Sequence, residues 1–302
     1  MNSNELSFHD LKLTWYHFPA TAGDARRPML FFHANGYPAR TYTPLFERIN
    51  AAGRDIFALD FMGHGRSQAT EDFRDWNFFR DQVLALLNHL TETGRVDADQ
   101  GVNVVGHSIG GASSSLATAL EEQRAREAGR PSRIRALGLL DPTVLTPAIS
   151  LLLPFAPNHM ARAAEKRRNE FKSLKIVARS YRMHPGFKDW RDDVFQAYLE
   201  SAFRQRDDGM FELCLPPRIE ARIFRSLHSG QWRAHKAVAA PKLVIQAHKS
   251  TVTPDRAARL LVQRNRASRR IASTGSHFFP MEQPDWTVER ILEYFAEIDS
   301  RD

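Results

Sequence analysis

The chain has 302 residues, 42% of them hydrophobic and 25% charged, enough apolar sequence to bury a sizeable core and too much to stay disordered. Its 42 Lys and Arg against 35 Asp and Glu leave a net charge of +7, but no zinc-finger spacing, RNP-like aromatic signature or heptad-bearing basic region accompanies the excess, which argues against nucleic acid as a partner. The lone Cys214 excludes an internal disulfide and a multi-cysteine zinc site; with no signal-peptide pattern and no apolar run longer than residues 148–155, a cytoplasmic protein without integral membrane association is expected.

Leu11–Phe18 alternates in character and suits an antiparallel edge region. Continuously apolar runs follow at Met29–Phe32, Ile56–Leu59 and residues 102–105, 136–140 and 243–245, the composition of strands covered on both faces. Between them the pattern predicts helices over residues 78–90, capped by Asp75 or Asn77, and 112–128, ended by Gly129. Another is expected over residues 257–263, where Thr253 can cap and Pro254 opens the first turn, and a last amphipathic one over residues 286–298. Alternating strands and helices predict the α/β class: a mostly parallel sheet flanked by helices. Residues 142–240 break the rhythm with helical, basic, proline-punctuated sequence, and read as a helical cap inserted into a core of residues 1–141 and 241–302.

Gly106-His107-Ser108-Ile109-Gly110-Gly111 directly follows the strand expected at residues 102–105 and precedes small residues able to open a helix. This is the pattern of a nucleophile elbow, a turn so tight that side chains two residues to either side of the serine would collide, hence the flanking glycines. It would lift the Ser108 hydroxyl above the sheet edge and aim the unpaired N–H groups of a helix N-terminus at any oxyanion beside it. Further on, residues 161–191 hold ten Lys or Arg and three acids. That cluster is either a solvated helix face or a device for steering an anionic substrate.

Four motifs in order carry a resemblance. His33-Ala34-Asn35-Gly36 is similar to the oxyanion loop of the α/β-hydrolase fold superfamily, and Asp60-Phe61-Met62-Gly63-His64-Gly65-Arg66-Ser67 to its D-x-x-G-x-G-x-S loop. The Ser108 elbow follows, and Gly275-Ser276-His277-Phe278-Phe279-Pro280-Met281-Glu282 resembles the loop carrying the catalytic histidine. The resemblance implies Ser108 as nucleophile, His277 as its base, and an oxyanion hole made by the N–H groups of Ile109 and of Asn35 or Ala34. It puts His33, Ala34 and His107 around the substrate, with His33 bracing the oxyanion loop and His107 packing inside the elbow. No metal or organic cofactor is implied.

The acid departs from the pattern. Where relatives carry an aspartate after the strand at residues 243–245, this chain reads Gln246-Ala247-His248-Lys249-Ser250-Thr251-Val252-Thr253, with Ser250 in the acid's place. Asp141, at the tip of the preceding strand, is the expected replacement, and Asp255 the alternative; a histidine without such a partner loses its orientation and the countercharge for its imidazolium. The expected activity is cleavage of a small-molecule carboxylic ester, anionic or with an apolar acyl group, through an acyl-enzyme. A thioesterase, lactonase or carbon-carbon bond hydrolase would use the same triad, and a degenerate hydrolase would keep the fold to bind a ligand.

Overall fold

The computed structural model describes residues 2–22, 26–152, 158–227 and 230–301. The chain opens with an antiparallel hairpin of β1 (Asn2–Phe8) and β2 (Leu11–Phe18), Phe8 opposite Leu11. β3 (Met29–Phe32) and β4 (Ile56–Leu59) are buried at every position, as their unbroken apolar sequence requires. Between them lies α1 (Thr43–Ala51), with Pro44 in its first turn, a helix without a counterpart among the sequence expectations. α2 (Asn77–Glu92), β5 (Val102–His107), α3 (Ile109–Glu127) and β6 (Ile134–Leu140) then alternate as predicted. Trp76 holds the N-cap position of α2, and the expected Asp75, one residue earlier, accepts the N–H of Asn77, the first helical residue, through its side chain at 2.8 Å. Gly129 does end α3, at φ +63°.

Residues 142–240 supply α4 (Pro147–Leu152), α5 (His159–Glu165), β7 (Glu170–Phe171), α6 (Leu174–Arg182), α7 (Asp192–Ala202), β8 (Phe203–Gln205), β9 (Phe211–Leu213), α8 (Pro217–Arg225) and α9 (Gln231–Ala237). The stretch expected to form a helical cap is therefore not wholly helical. β7, β9 and β8 form a small antiparallel sheet, its hairpin turning at Gly209 with φ +81°, and Phe171 and Phe203 stack edge to face across it. Leu153, Pro154 and Phe155, from the apolar run of the insertion, lie outside the described residues. Of the ten clustered cations, Arg167 pairs with Glu220, Arg182 with Asp192, Lys188 with Asp189 and Arg191 with both Asp193 and Asp285, while Arg168 sits over the Phe171 ring.

β10 (Lys242–Gln246), α10 (Asp255–Leu261), β11 (Arg269–Ala272), the short α11 (Phe279–Glu282) and α12 (Pro284–Asp299) complete the chain. Thr253 does not cap α10; Pro254 takes that position and the Thr253 hydroxyl donates to the Pro142 carbonyl instead. The eight-stranded sheet has the order β1-β2-β4-β3-β5-β6-β10-β11, antiparallel at β2 and parallel from β4 onward. Alternate side chains enter two cores: Leu30, Phe32, Phe57, Leu59 and Val104 pack on one face with α2 and α3, and Met29, Phe31, Ile56, Ala58 and Val105 on the other with α1 and α12. From β3 the chain steps outward to β4 and returns to lay β5 on the other side. The carboxyl ends of β3 and β5 thus face a switch point, where open α/β sheets leave a crevice. No helix among the described residues is long and apolar enough to cross a membrane.

Candidate active site

Ser108 occupies the one-residue step between β5 and α3, at φ +55° and ψ −116°, a conformation that L-residues rarely hold and that the surroundings must enforce. The glycines make it possible. A Cβ on Gly106 would lie 2.4 Å from the Gly110 carbonyl oxygen, and one on Gly110 2.1 Å from that of Phe32. The Ser108 hydroxyl is half-buried and has Thr143 Oγ1 as its partner at 3.5 Å.

His277 sits in the turn between β11 and α11, a turn fastened by the Glu282 carboxylate, which accepts the Ser276 N–H at 2.8 Å. Its Nδ1 lies 2.7 Å from Asp141 Oδ2. Asp141 is fully buried at the end of β6 with φ +38°; Ala247 N–H donates to its Oδ1 at 3.1 Å and the Ser250 hydroxyl to its Oδ2 at 3.0 Å. Burial by itself raises the Asp141 pKa, but the hydrogen bond and charge of His277, with the Ala247 and Ser250 donors, outweigh it and hold the carboxyl below its ordinary value. An ionised acceptor at Nδ1 keeps the proton there and leaves the lone pair on Nε2, the tautomer a general base needs. Asp255, the alternative acid, is engaged by Arg259 at 2.8 Å and by Arg270.

Three buried histidines frame the site. His107 donates from Nε2 to the His277 carbonyl at 2.9 Å and accepts at Nδ1 from Tyr42 Oη at 2.7 Å, and that oxygen in turn accepts the Ala34 N–H at 3.3 Å. His33 donates to the Ala34 carbonyl at 2.8 Å and accepts the Phe61 N–H at 2.9 Å; His64 donates to the Met62 carbonyl at 3.0 Å and accepts the Gly36 N–H at 2.9 Å. Burial pushes His107 down to about 3 and His64 down to about 4, and it lowers His33 well below its ordinary value, so all three stay neutral with fixed tautomers. His33, Ala34 and His107, expected around the substrate, accordingly stand behind the site's wall with their polar groups committed to the protein. Of the Ala34-Asn35-Gly36 turn, Ala34 N–H and Gly36 N–H are taken, which leaves the Asn35 N–H without an acceptor among the described residues.

Asn35, Ser108 and Ile109 line a cavity of about 340 Å³. Its walls are mostly apolar, with Trp76 and Ile109, and Leu145, Ile149, Met160 and Phe224 from the stretch between β6 and β10; none of the described lining residues is Asp, Glu, Lys or Arg. A roomier cleft of about 780 Å³, lined by Arg40, Arg66 and Arg204, shares no residue with it and holds neither Ser108 nor His277. The sequence gives no sign of Thr143 or Tyr42 as neighbours of the site; nothing in their local pattern separates them from ordinary turn and helix residues. Ser250 is visible only as the place where an acid is missing.

No curated protein sequence matches the chain. Among solved structures it is similar to an E-2-(acetamidomethylene)succinate hydrolase, at 20% identity over 98% of this chain and 99% of that one with a TM-score of 0.73. It is also similar to the thioesterase domain from the curacin biosynthetic pathway (16% identity, 97% and 99% coverage, TM-score 0.70) and to an esterase of M. tuberculosis (18%, 98% and 92%, 0.69). At these identities the likeness is one of fold. The sequence pattern of the alpha/beta hydrolase family matches residues 29–290, the stretch from the first core strand to the last helix, and with the sheet order and the strained serine turn in place the chain belongs to that family.

Proposed function

We propose that the protein is a serine hydrolase that cleaves a carboxylic ester with an uncharged, largely apolar acyl group, using Ser108, His277 and Asp141. The observation that carries this reading is the 2.7 Å bond from His277 Nδ1 to a buried, ionised Asp141, in a site whose serine sits at the mouth of an apolar cavity. His277 Nε2 takes the Ser108 proton as Oγ attacks the carbonyl carbon, and the oxygen that gains charge is met by the N–H groups of Ile109 and Asn35. The tetrahedral adduct collapses with the alkoxide leaving group taking the proton from His277, and water, activated by the same base, then releases the acid from Ser108. Residues 142–240 act as the cap, closing the acyl side of the cavity.

The lining supports the apolar of the two substrate classes left open by the sequence. A carboxylate-bearing acyl group would be buried against a described lining that holds no Lys or Arg and has His159 as its one titratable side chain, a penalty that an apolar group does not meet. A volume of about 340 Å³ is near the lower end for ligand pockets and fits a short to medium chain. The curacin relative is a thioesterase domain, and a thioester would yield the same acyl-enzyme.

A panel of p-nitrophenyl esters and matched thioesters of increasing acyl length tests the reading. Turnover with a burst of chromophore, peaking at short to medium chains, is expected. Absence of turnover across the panel would mark a hydrolase fold retained for ligand binding.

A further inference from the structure

The Asn35-Gly36 turn is gripped from two sides. From the core, His64 accepts the Gly36 N–H and Tyr42 the Ala34 N–H. From the insertion comes Glu220, in the first turn of α8 and 7% exposed. Its carbonyl accepts the Asn35 side-chain amide at 3.5 Å, and its carboxylate presses on Gly36, where a Cβ would be only 2.9 Å from Glu220 Oε1.

A carboxylate in that place is a hazard for the chemistry proposed above. The turn is to stabilise a developing negative charge, and an uncompensated anion behind it opposes that charge through a low-dielectric interior. Arg167, which follows α5, removes the hazard. Its Nη1 lies 3.2 and 3.1 Å from the two Glu220 carboxylate oxygens, its Nη2 donates to Tyr198 Oη at 2.6 Å and its Nε to Tyr181 Oη at 3.4 Å. Every guanidinium nitrogen has a partner, so Arg167 is poorly placed to take a substrate carboxylate as well. The same tyrosine group continues through Tyr37, 5.7 Å from the Tyr198 ring and 5.1 Å from that of Phe278, the neighbour of His277. Buried ion pairs contribute little net stability compared with apolar packing, so stability alone is a weak reason for one here.

Resting on the serine hydrolase reading, we infer that Arg167 is a positioning residue for the oxyanion turn: it cancels the Glu220 charge beside Asn35-Gly36 and ties that turn to the insertion.

The test compares Arg167→Met, Glu220→Gln and the double variant in p-nitrophenyl butyrate hydrolysis, with Tm measured alongside. Arg167→Met leaves the carboxylate bare, and kcat should fall about tenfold to a hundredfold while KM stays within about twofold. Glu220→Gln leaves a cation near the oxyanion and should lose about threefold or less, and in the double variant most of the lost kcat should return. Should Arg167→Met fail to fold, the double variant and Arg167→Lys, which keeps the charge but not the fork, carry the comparison, and both should hold kcat within about tenfold of wild type. Equal losses of kcat in the two single variants would mean a purely structural pair and overturn the inference. So would an Arg167→Met enzyme changed in KM alone, or not changed at all. A wild type that hydrolyses no ester removes the serine hydrolase reading and this inference with it, whereas an active wild type with an indifferent Arg167→Met sinks the inference only.

Discussion

Ser250 and Asp141 meet across the carboxyl ends of β10 and β6, the serine hydroxyl 3.0 Å from the aspartate Oδ2 that also receives His277 Nδ1. The position that would carry an acid on β10 has become a hydrogen-bond donor to an acid on β6. Ser250 Oγ also accepts the Thr253 N–H at 2.9 Å, so the hydroxyl hydrogen is directed at the carboxylate.

Removing the charge from Asp141 while keeping its shape therefore isolates its role. Asp141→Asn should lower kcat by about a thousandfold to ten-thousandfold with little change in KM, because the amide favours the wrong imidazole tautomer and gives the imidazolium no countercharge. Asp255→Asn should remain near wild type. Combining Asp141→Asn with Ser250→Asp moves the acid back to β10 and should recover part of the loss, at least tenfold in kcat. Steady-state kinetics on the three enzymes checks the set, and an Asp141→Asn enzyme within tenfold of wild type would refute the acid assignment.

Acyl selectivity should follow the volume beside Ser108. Ile149→Trp fills the cavity and should shift the preferred p-nitrophenyl ester to shorter chains, cutting kcat/KM for the longest good substrate by about tenfold or more. Added salt should affect carboxylate-bearing and neutral esters alike, because the described cavity lining has no Lys or Arg and five of the ten clustered cations of residues 161–191 are committed to carboxylates or a ring. A selective loss for the carboxylate ester would restore a steering role.

Acid should unfold the protein early. The folded-state pKa values of His33, His64, His107 and His235 are depressed below their unfolded value by burial, to about 4 for His64 and His235 and to about 3 for His107. The unfolded chain takes up protons that the fold refuses. This stability is present in full above about pH 6.5 and is lost as pH falls, on the order of 2 kcal/mol by pH 5 for each of His64, His107 and His235. Asp60 acts in the opposite sense, since burial raises it to about 6 and its protonation favours the fold as pH drops. The histidines outnumber it. Urea unfolding at pH 7, 6 and 5 should show a net loss of several kcal/mol, and a flat profile would contradict the neutral, buried assignments.

Gly110→Ala tests the elbow's geometry without touching the reacting groups. The added methyl would meet the Phe32 carbonyl oxygen at 2.1 Å, contact with backbone that cannot yield cheaply. Loss of about 3 kcal/mol or more is expected, a fall in Tm of roughly 5–10 °C or failure to fold. Gly129→Ala, with nothing near its Cβ but φ +63°, should cost about 1 kcal/mol.

Much of this was legible in the chain because it depends on local rules. Strands covered on both faces must read as apolar runs, so Met29–Phe32 and Ile56–Leu59 have the bounds that their composition sets. The glycines around Ser108 are demanded by the turn itself. What stayed hidden depends on packing between distant segments. α1 is only nine residues long with Pro44 in its first turn, and the strands between β6 and β10 are two or three residues long, too short to show a period. The retreat of His33, Ala34 and His107 behind the wall follows from Tyr42 and Phe61 reaching them across the sheet. Glu220 and Arg167 lie 53 residues apart in sequence, and only the folded insertion brings their charges together on the oxyanion turn.

The most direct test of the account is the mass of the covalent intermediate. Incubated with a fluorophosphonate, the wild-type protein should gain one adduct, and peptide mapping should place it on Ser108. Ser108→Ala should gain none while keeping its Tm within a few degrees, and His277→Ala should label at least a hundredfold more slowly. An adduct on another residue, labelling of Ser108→Ala at the wild-type rate, or no adduct on an intact wild type would contradict the assignment of Ser108 as the nucleophile.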